Sequence, residues 1–196
     1  MIKYFLLFFL LFSTPANIFI FNALEAETKE SLFESGRVNI KNKKYSDALD
    51  DFNDYIKSNP DNWAAFYNRA ISKEYLGDYI GAISDYSKAI ELNPNPSGKI
   101  LFWRGYLHEK NENYEKAIGD YSSAIKINPN YENAYFYRAY TKFLIEDYEG
   151  SIEDYSTVIK LNSNNEDAYF NRGLSKSKLQ DINGAIDDFT NAIQIK

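Results

Sequence analysis

Cysteine is absent from the 196 residues. That removes disulfides, thiolate metal sites, a cysteine nucleophile and a lipid-bearing N-terminal cysteine in one step. Histidine occurs once, as His108. With a single imidazole and no thiol, neither a Ser-His-Asp nor a Cys-His nucleophile can be assembled. No glycine-rich phosphate loop is present, and Asp/Asn stretches such as Asn93-Pro94-Asn95 lack the spacing of a calcium loop. The consecutive pairs Asp50-Asp51 and Asp187-Asp188 would point about 100° apart on a helix, so neither is a carboxylate pair for acid–base work. Positive charge is scarce too: 22 Lys and Arg against 28 Asp and Glu give a net charge of -6 and a pI near 4.9. Such a chain lacks the electrostatic footprint of a nucleic-acid binder. No catalytic, metal-binding or cofactor-binding residue can be named, and the chain reads as a non-enzyme without a cofactor.

Aromatic side chains are plentiful, chiefly 17 Tyr and 14 Phe, in a chain 44% hydrophobic and 26% charged. That is the balance of a globular domain rather than a disordered one. The first residues stand apart. Lys3 precedes an unbroken apolar run from Tyr4 to Phe12, Ser13-Thr14-Pro15-Ala16 interrupts it, and Ile18 to Phe21 is apolar again. Residues 1–26 therefore read as a signal peptide, with Ala16, Ala23 and Ala26 as cleavage positions, or as an uncleaved N-terminal membrane anchor through residues 4–21. Either way the remainder is expected outside the cytoplasm: periplasmic, secreted or anchored facing outward.

From residue 29 the chain repeats. Aligned on an internal alanine and a closing proline, five copies run 29–62, 63–96, 98–131, 132–165 and 166–196, with Ser97 inserted. The first half of each copy carries a large apolar residue at its fourth position (Leu32, Phe66, Leu101, Tyr135, Tyr169). A small residue stands at the eighth (Gly36, Ala70, Gly105, Ala139, Gly173). The second half has Ala48, Ala82, Ala117, Ser151 and Ala185, each followed four residues later by Phe52, Tyr86, Tyr121, Tyr155 and Phe189. Those spacings predict two helices per copy, approaching closely where small meets large. Asp78, Asn113, Asp147 and Asp181 stand where a side chain can cap the second helix, and Pro60, Pro94 and Pro129 close it. The fourth copy has Ser163 there, which leaves its closing turn less sharply specified.

Asp precedes the second-helix aromatic in all copies, and Arg precedes the small first-helix residue in four, Ser35 replacing it in the first. The expected pairing joins the Asp of one copy to the Arg of the next: Asp51–Arg69, Asp85–Arg104, Asp120–Arg138 and Asp154–Arg172. His108 fills a slot held by Asn39, Lys73, Lys142 and Lys176 elsewhere, and so reads as a solvated polar position.

The period of 34 with two helices per unit resembles the tetratricopeptide repeat, over all of 29–196. The resemblance implies an all-α fold, a right-handed α-solenoid of five helix-turn-helix repeats forming one domain after the N-terminal segment. It also implies a protein or peptide partner held in a concave groove lined by the first helices. Positions five, nine and twelve of those helices form one stripe. Its fifth position is aromatic throughout (Phe33, Tyr67, Phe102, Phe136, Phe170), and its ninth holds Arg37, Ile71, Tyr106, Tyr140 and Leu174. The expected peptide-binding residues are Tyr67, Ile71, Phe102, Tyr106, Phe136, Tyr140, Phe143, Phe170 and Leu174. The fifth-position rings have a second reading, as packing between neighbouring helices. The Lys and Asn of a carboxylate-clamping member are missing apart from Asn68, so apolar contact is expected. Ile186 and Ile193 are expected to be partly exposed, which opens the possibility of a homo-oligomer or a self-assembling structural component.

Overall fold

The computed structural model describes residues 31–195, and all regular structure among them is α-helical. The segment read as signal or anchor lies outside the described residues. No helix among the described residues is long and apolar enough to cross a membrane. Ten helices follow in order: α1, 31–41; α2, Tyr45–Ser58; α3, Trp63–Tyr75; α4, Tyr79–Leu92; α5, Gly98–Lys110; α6, Tyr114–Ile127; α7, Glu132–Leu144; α8, Tyr148–Leu161; α9, Glu166–Lys178; α10, Ile182–Ile195. The chain forms two compact units divided between Asp78 and Tyr79.

In the first unit Ala48, Phe52 and Tyr55 recur every three to four residues along α2 and are buried with Ala65 of α3; Leu32, Phe33, Ile40 and Ile56 pack around them. Phe33 meets Phe52 edge-on at 5.8 Å. Gly36 is needed for this approach, because a Cβ there would lie 2.6 Å from the Phe52 ring. The Asn62 side chain caps α3 by accepting from Ala65 N, while its amide donates to the Tyr55 hydroxyl at 3.0 Å.

In the second unit each first helix packs against its own second helix and against the second helix before it; α5 also touches α7, and α7 touches α9. The small-against-large pattern is realised. Ala82, Ala117, Tyr86, Tyr121 and Tyr155 are fully buried, with Ala139, Ala168, Val158 and Leu107 between them. The turns within the repeats share one geometry: Lys43, Gly77, Glu112, Glu146 and Gln180 all take positive φ, between 58° and 83°. Only one of the five is glycine, although this region of backbone favours it. Asp147 and Asp181 cap the following helices through Gly150 N and Gly184 N, whereas Asn113 makes no such bond. The turn without a proline is secured differently. The amides of Asn162 and Asn165 both donate to Glu132 Oε1, at 3.0 and 2.8 Å.

The Asp–Arg pairing is real, but its register differs from the expected one. Arg104, Arg138 and Arg172 each grip the Asp of their own repeat, with Nε to one oxygen at 2.8 Å and Nη2 to the other at 2.6 Å. The partners are Asp120, Asp154 and Asp188. The remaining Nη1 of each reaches back to a hydroxyl in the preceding second helix, on Ser87, Ser122 and Ser156. In the first unit Asp51 accepts from Ser35 and Asn39 instead, and Arg69 donates to Asn53. Asp188, expected to be left over, is thus fully engaged. The reason is geometric: an arginine packed between two second helices presents its planar fork to the nearer carboxylate, sixteen residues ahead.

Candidate functional site

The first helices of the second unit carry the candidate site. Several aromatic residues come together on α5 and α7. Tyr106 stands perpendicular to both Trp103 and Tyr137, with centroids at 5.8 and 5.5 Å. These are the edge-to-face arrangements aromatic rings prefer. Tyr140 on α7 is 39% exposed, and Leu144 at its end is 38% exposed. Lys110 extends over Tyr106, its ammonium 5.3 Å from the ring centre.

The fifth-position residues divide. Phe102 is only 3% exposed and belongs to the core, not to a ligand face, because it is enclosed by Trp103, Tyr121, Tyr131 and Tyr137. Phe136 is half-buried and packs on Tyr155, just as Phe33 packs on Phe52. The fifth ring is therefore a wedge between the two helices of its own repeat. Phe170 makes the same contact with Phe189, yet remains 49% exposed. Phe143 and Leu174 are half-buried, and Phe143 meets Tyr148 edge-on at 5.4 Å. Tyr67 and Ile71, on α3 of the first unit, are half-buried as well. Asn68 donates to Ala64 O within its own helix.

Beneath these rings lies a polar group that the stripe of positions five, nine and twelve did not single out. Glu109 is 8% exposed on α5, at the twelfth position. The Thr141 hydroxyl of α7 donates to its Oε2 at 2.7 Å and the Tyr121 hydroxyl to the same oxygen at 3.3 Å. Burial pushes the Glu109 carboxyl up from its ordinary range, and those two bonds pull it partly back. Burial also raises the Tyr137 phenol, helped by neighbouring Tyr106 and Glu109. Tyr155 is fully buried with no partner for its hydroxyl among the described residues; burial raises this phenol, and neighbouring Tyr140 and Glu109 add to the effect. The sixth-position residues Trp103 and Tyr137 were missed by the stripe. Each is an aromatic residue three positions before the ninth, on the same face of its helix, and that was the available signal.

His108 is not solvated. It is 8% exposed, and its Nδ1 is the other buried polar atom without a partner among the described residues. It lines a cleft of about 560 Å³ with Ile83, Ser87, Arg104, Lys116 and Asp120. Burial holds its pKa below the ordinary value; Asp120 opposes this, while Arg104 and Lys116 reinforce it. The slot itself is the second grip on the carboxylate: Lys142 Nζ lies 2.9 Å from Asp154 and Lys176 Nζ 2.8 Å from Asp188. No cluster of metal-ligating side chains occurs among the described residues.

Paired helices of constant length, repeating the same buried alanines, tyrosines and arginine forks, define a helical repeat protein. The chain belongs to the tetratricopeptide repeat family. Models described as tetratricopeptide repeat match residues 30–62, 63–96, 98–131 and 166–196, and one described as TPR repeat matches 142–180. Among curated proteins, the heat shock protein STI1 of Saccharomyces cerevisiae is 48% identical over 52 residues, 26% of this chain. The match spans only 9% of that relative's length. Among solved structures, MamA aligns with a TM-score of 0.83 at 19% identity, over 87% of this chain and 92% of its own. YrrB, described as a TPR protein with an unusual peptide-binding site, aligns at 0.81 and 16% identity, over 89% and 91%. A tetratricopeptide repeat protein from Parabacteroides merdae aligns at 0.78 and 18% identity, over 86% and 66%. At these identities the likeness is one of fold.

Proposed function

We propose that the chain is a non-catalytic scaffold that holds a peptide or protein segment against its first helices, outside the cytoplasm. The observation that carries this reading is the aromatic surface of α5 and α7, where Trp103, Tyr106, Tyr137 and Tyr140 combine contact area with polar tips. Tyrosine and tryptophan supply binding area at low entropic cost. The peptide-binding site named for YrrB is in keeping with such a role. Export is supported by the Lys3-led apolar run, and the acidic balance disfavours nucleic acid. The test is capture of partners from an envelope fraction by the native chain and by Tyr106→Ala/Tyr140→Ala. Loss of a partner with helicity retained supports the surface; retention of every partner moves the site elsewhere.

A second reading, self-association, is favoured by one apolar face. Phe170, Phe189, Ala192 and Ile193, with Glu166 and Asp167, line an open cavity of about 320 Å³ on α9 and α10, and Ile193 is 77% exposed. Sedimentation at micromolar concentration decides it: a monomer counts against assembly.

A further inference from the structure

Resting on that reading of the first-helix face, we propose that the segment bound there presents a cationic side chain, lysine or arginine, to a socket anchored by Glu109. Four observations converge on the socket. First, Glu109 offers a lopsided carboxylate. Both of its hydrogen bonds, from Thr141 and Tyr121, fall on Oε2, and Oε1 accepts none. Glu109 itself is 8% exposed, so this unbonded oxygen sits at the margin of the buried layer. A carboxylate held by one oxygen in a desolvated site, with the other open, is an acceptor aimed at an incoming donor.

Second, its surroundings are aromatic. Tyr106 and Tyr137 cross at right angles 5.5 Å apart, and Tyr137 also packs at 6.3 Å against the ring of Tyr121, whose hydroxyl binds Glu109. Tyrosine faces attract cations, and one already lies there, because Lys110 sits 5.3 Å from the Tyr106 ring centre. Third, the Tyr155 hydroxyl is buried without a partner among the described residues, and the Glu109 carboxylate adds to the effect of burial in raising its pKa. Its counterpart Tyr121 is satisfied by Glu109 at the twelfth position of its repeat, whereas the fourth repeat has Phe143 there. Fourth, the chain is acidic overall, at -6, which steers basic segments toward it. Lys110 is the opposing charge on the rim. It occupies the Tyr106 ring and repels an incoming cation, so the ligand must displace it.

The test uses the full-length chain and three blocked heptapeptides identical except at the central residue: arginine, its uncharged isostere citrulline, or glutamate. Binding is followed by calorimetry and by the amide signals of Tyr106 and Thr141. The arginine peptide is expected to bind roughly tenfold more tightly than the citrulline peptide, the scale of one charge-assisted hydrogen bond with an aromatic contact. Glu109→Gln, which keeps an oxygen for Thr141 and Tyr121, is expected to erase that preference, and Lys110→Met to increase it. Equal binding of arginine and citrulline peptides, or preference for glutamate lost in Lys110→Met, overturns the socket. If binding is independent of charge but abolished by Tyr106→Ala, the aromatic surface stands and the socket falls. If no peptide binds the native chain, both fall. Should Glu109→Gln unfold, the direction of the Lys110→Met effect still decides.

Discussion

The third repeat and the two after it solve the same electrostatic problem differently. Asp154 and Asp188 are each enclosed by an arginine fork and a lysine ammonium, with carboxylate side chains 5% and 2% exposed. For Asp188, burial alone would raise the carboxyl, yet the bonds from Arg172 and Lys176 hold it below the ordinary value. Asp120 has the arginine fork alone, since His108 replaces the lysine and makes no bond to it. The flanking residue changes as well: the later repeats have Gly150 and Gly184, whose carbonyls meet the lysines, where the third has Lys116. The later repeats use fixed charge to knit two helices, and the third substitutes a group that can be neutral. Repeats that share a backbone thus act as internal controls for each other's side chains.

The comparison can be broken most forcefully at the carboxylate. Asp154→Ala leaves Arg138 and Lys142 facing each other in a largely buried site and is expected to cost about 3 kcal/mol. Asp120→Ala, with one cation fewer to strand, is expected to cost about 1.5 kcal/mol less. Urea unfolding of the two variants measures both; equal losses would mean that the lysine grip contributes nothing.

How much of this was legible in the linear chain depends on which contacts the 34-residue period constrains. The period, the alanine-to-aromatic spacing and the recurrent Asp and Arg place the helices and name the charged partners, because those follow from helix geometry within one unit. They do not tell which of two carboxylates, one eighteen residues behind and one sixteen ahead, Arg138 will grip; that is set by how second helices flank it. Phe102 and His108 were misplaced for a related reason. On a helix packed on three sides, as α5 is, a position at the edge of the expected exposed stripe becomes interior. Glu109 was hidden because its partners, Tyr121 and Thr141, come from different helices.

A smaller effect sharpens the contrast between closing turns. Glu132→Ala removes the shared acceptor for Asn162 and Asn165, so the turn lacking proline is expected to lose about 1 kcal/mol. Hydrogen exchange at 162–166 should rise while that around Pro129 stays unchanged.

The gentlest probe is pH. The folded His108 binds its proton more weakly than the unfolded one, so below roughly pH 6.5 the unfolded chain takes up more protons. Stability from this group is complete above that value and is lost as pH falls toward the lowered folded pKa. Glu109 acts in the opposite sense, because its raised pKa favours the folded state on acidification. The difference between the native chain and His108→Lys isolates the histidine. The variant, with a permanent charge beside Asp120, is expected to show no step near pH 6.5 in its melting temperature. An identical step in both would assign the effect to another group.

Each arginine fork reaches forward to its own repeat's aspartate and backward to a hydroxyl in the repeat before. A tandem copy of residues 132–165 spliced in after residue 165 would therefore find both tethers waiting at each new seam, Arg138 meeting Ser156 of the copy ahead of it. Duplication of this unit keeps both arginine tethers, and a seam contact it changes is that of Thr141, which would face Phe143 where it now meets Glu109.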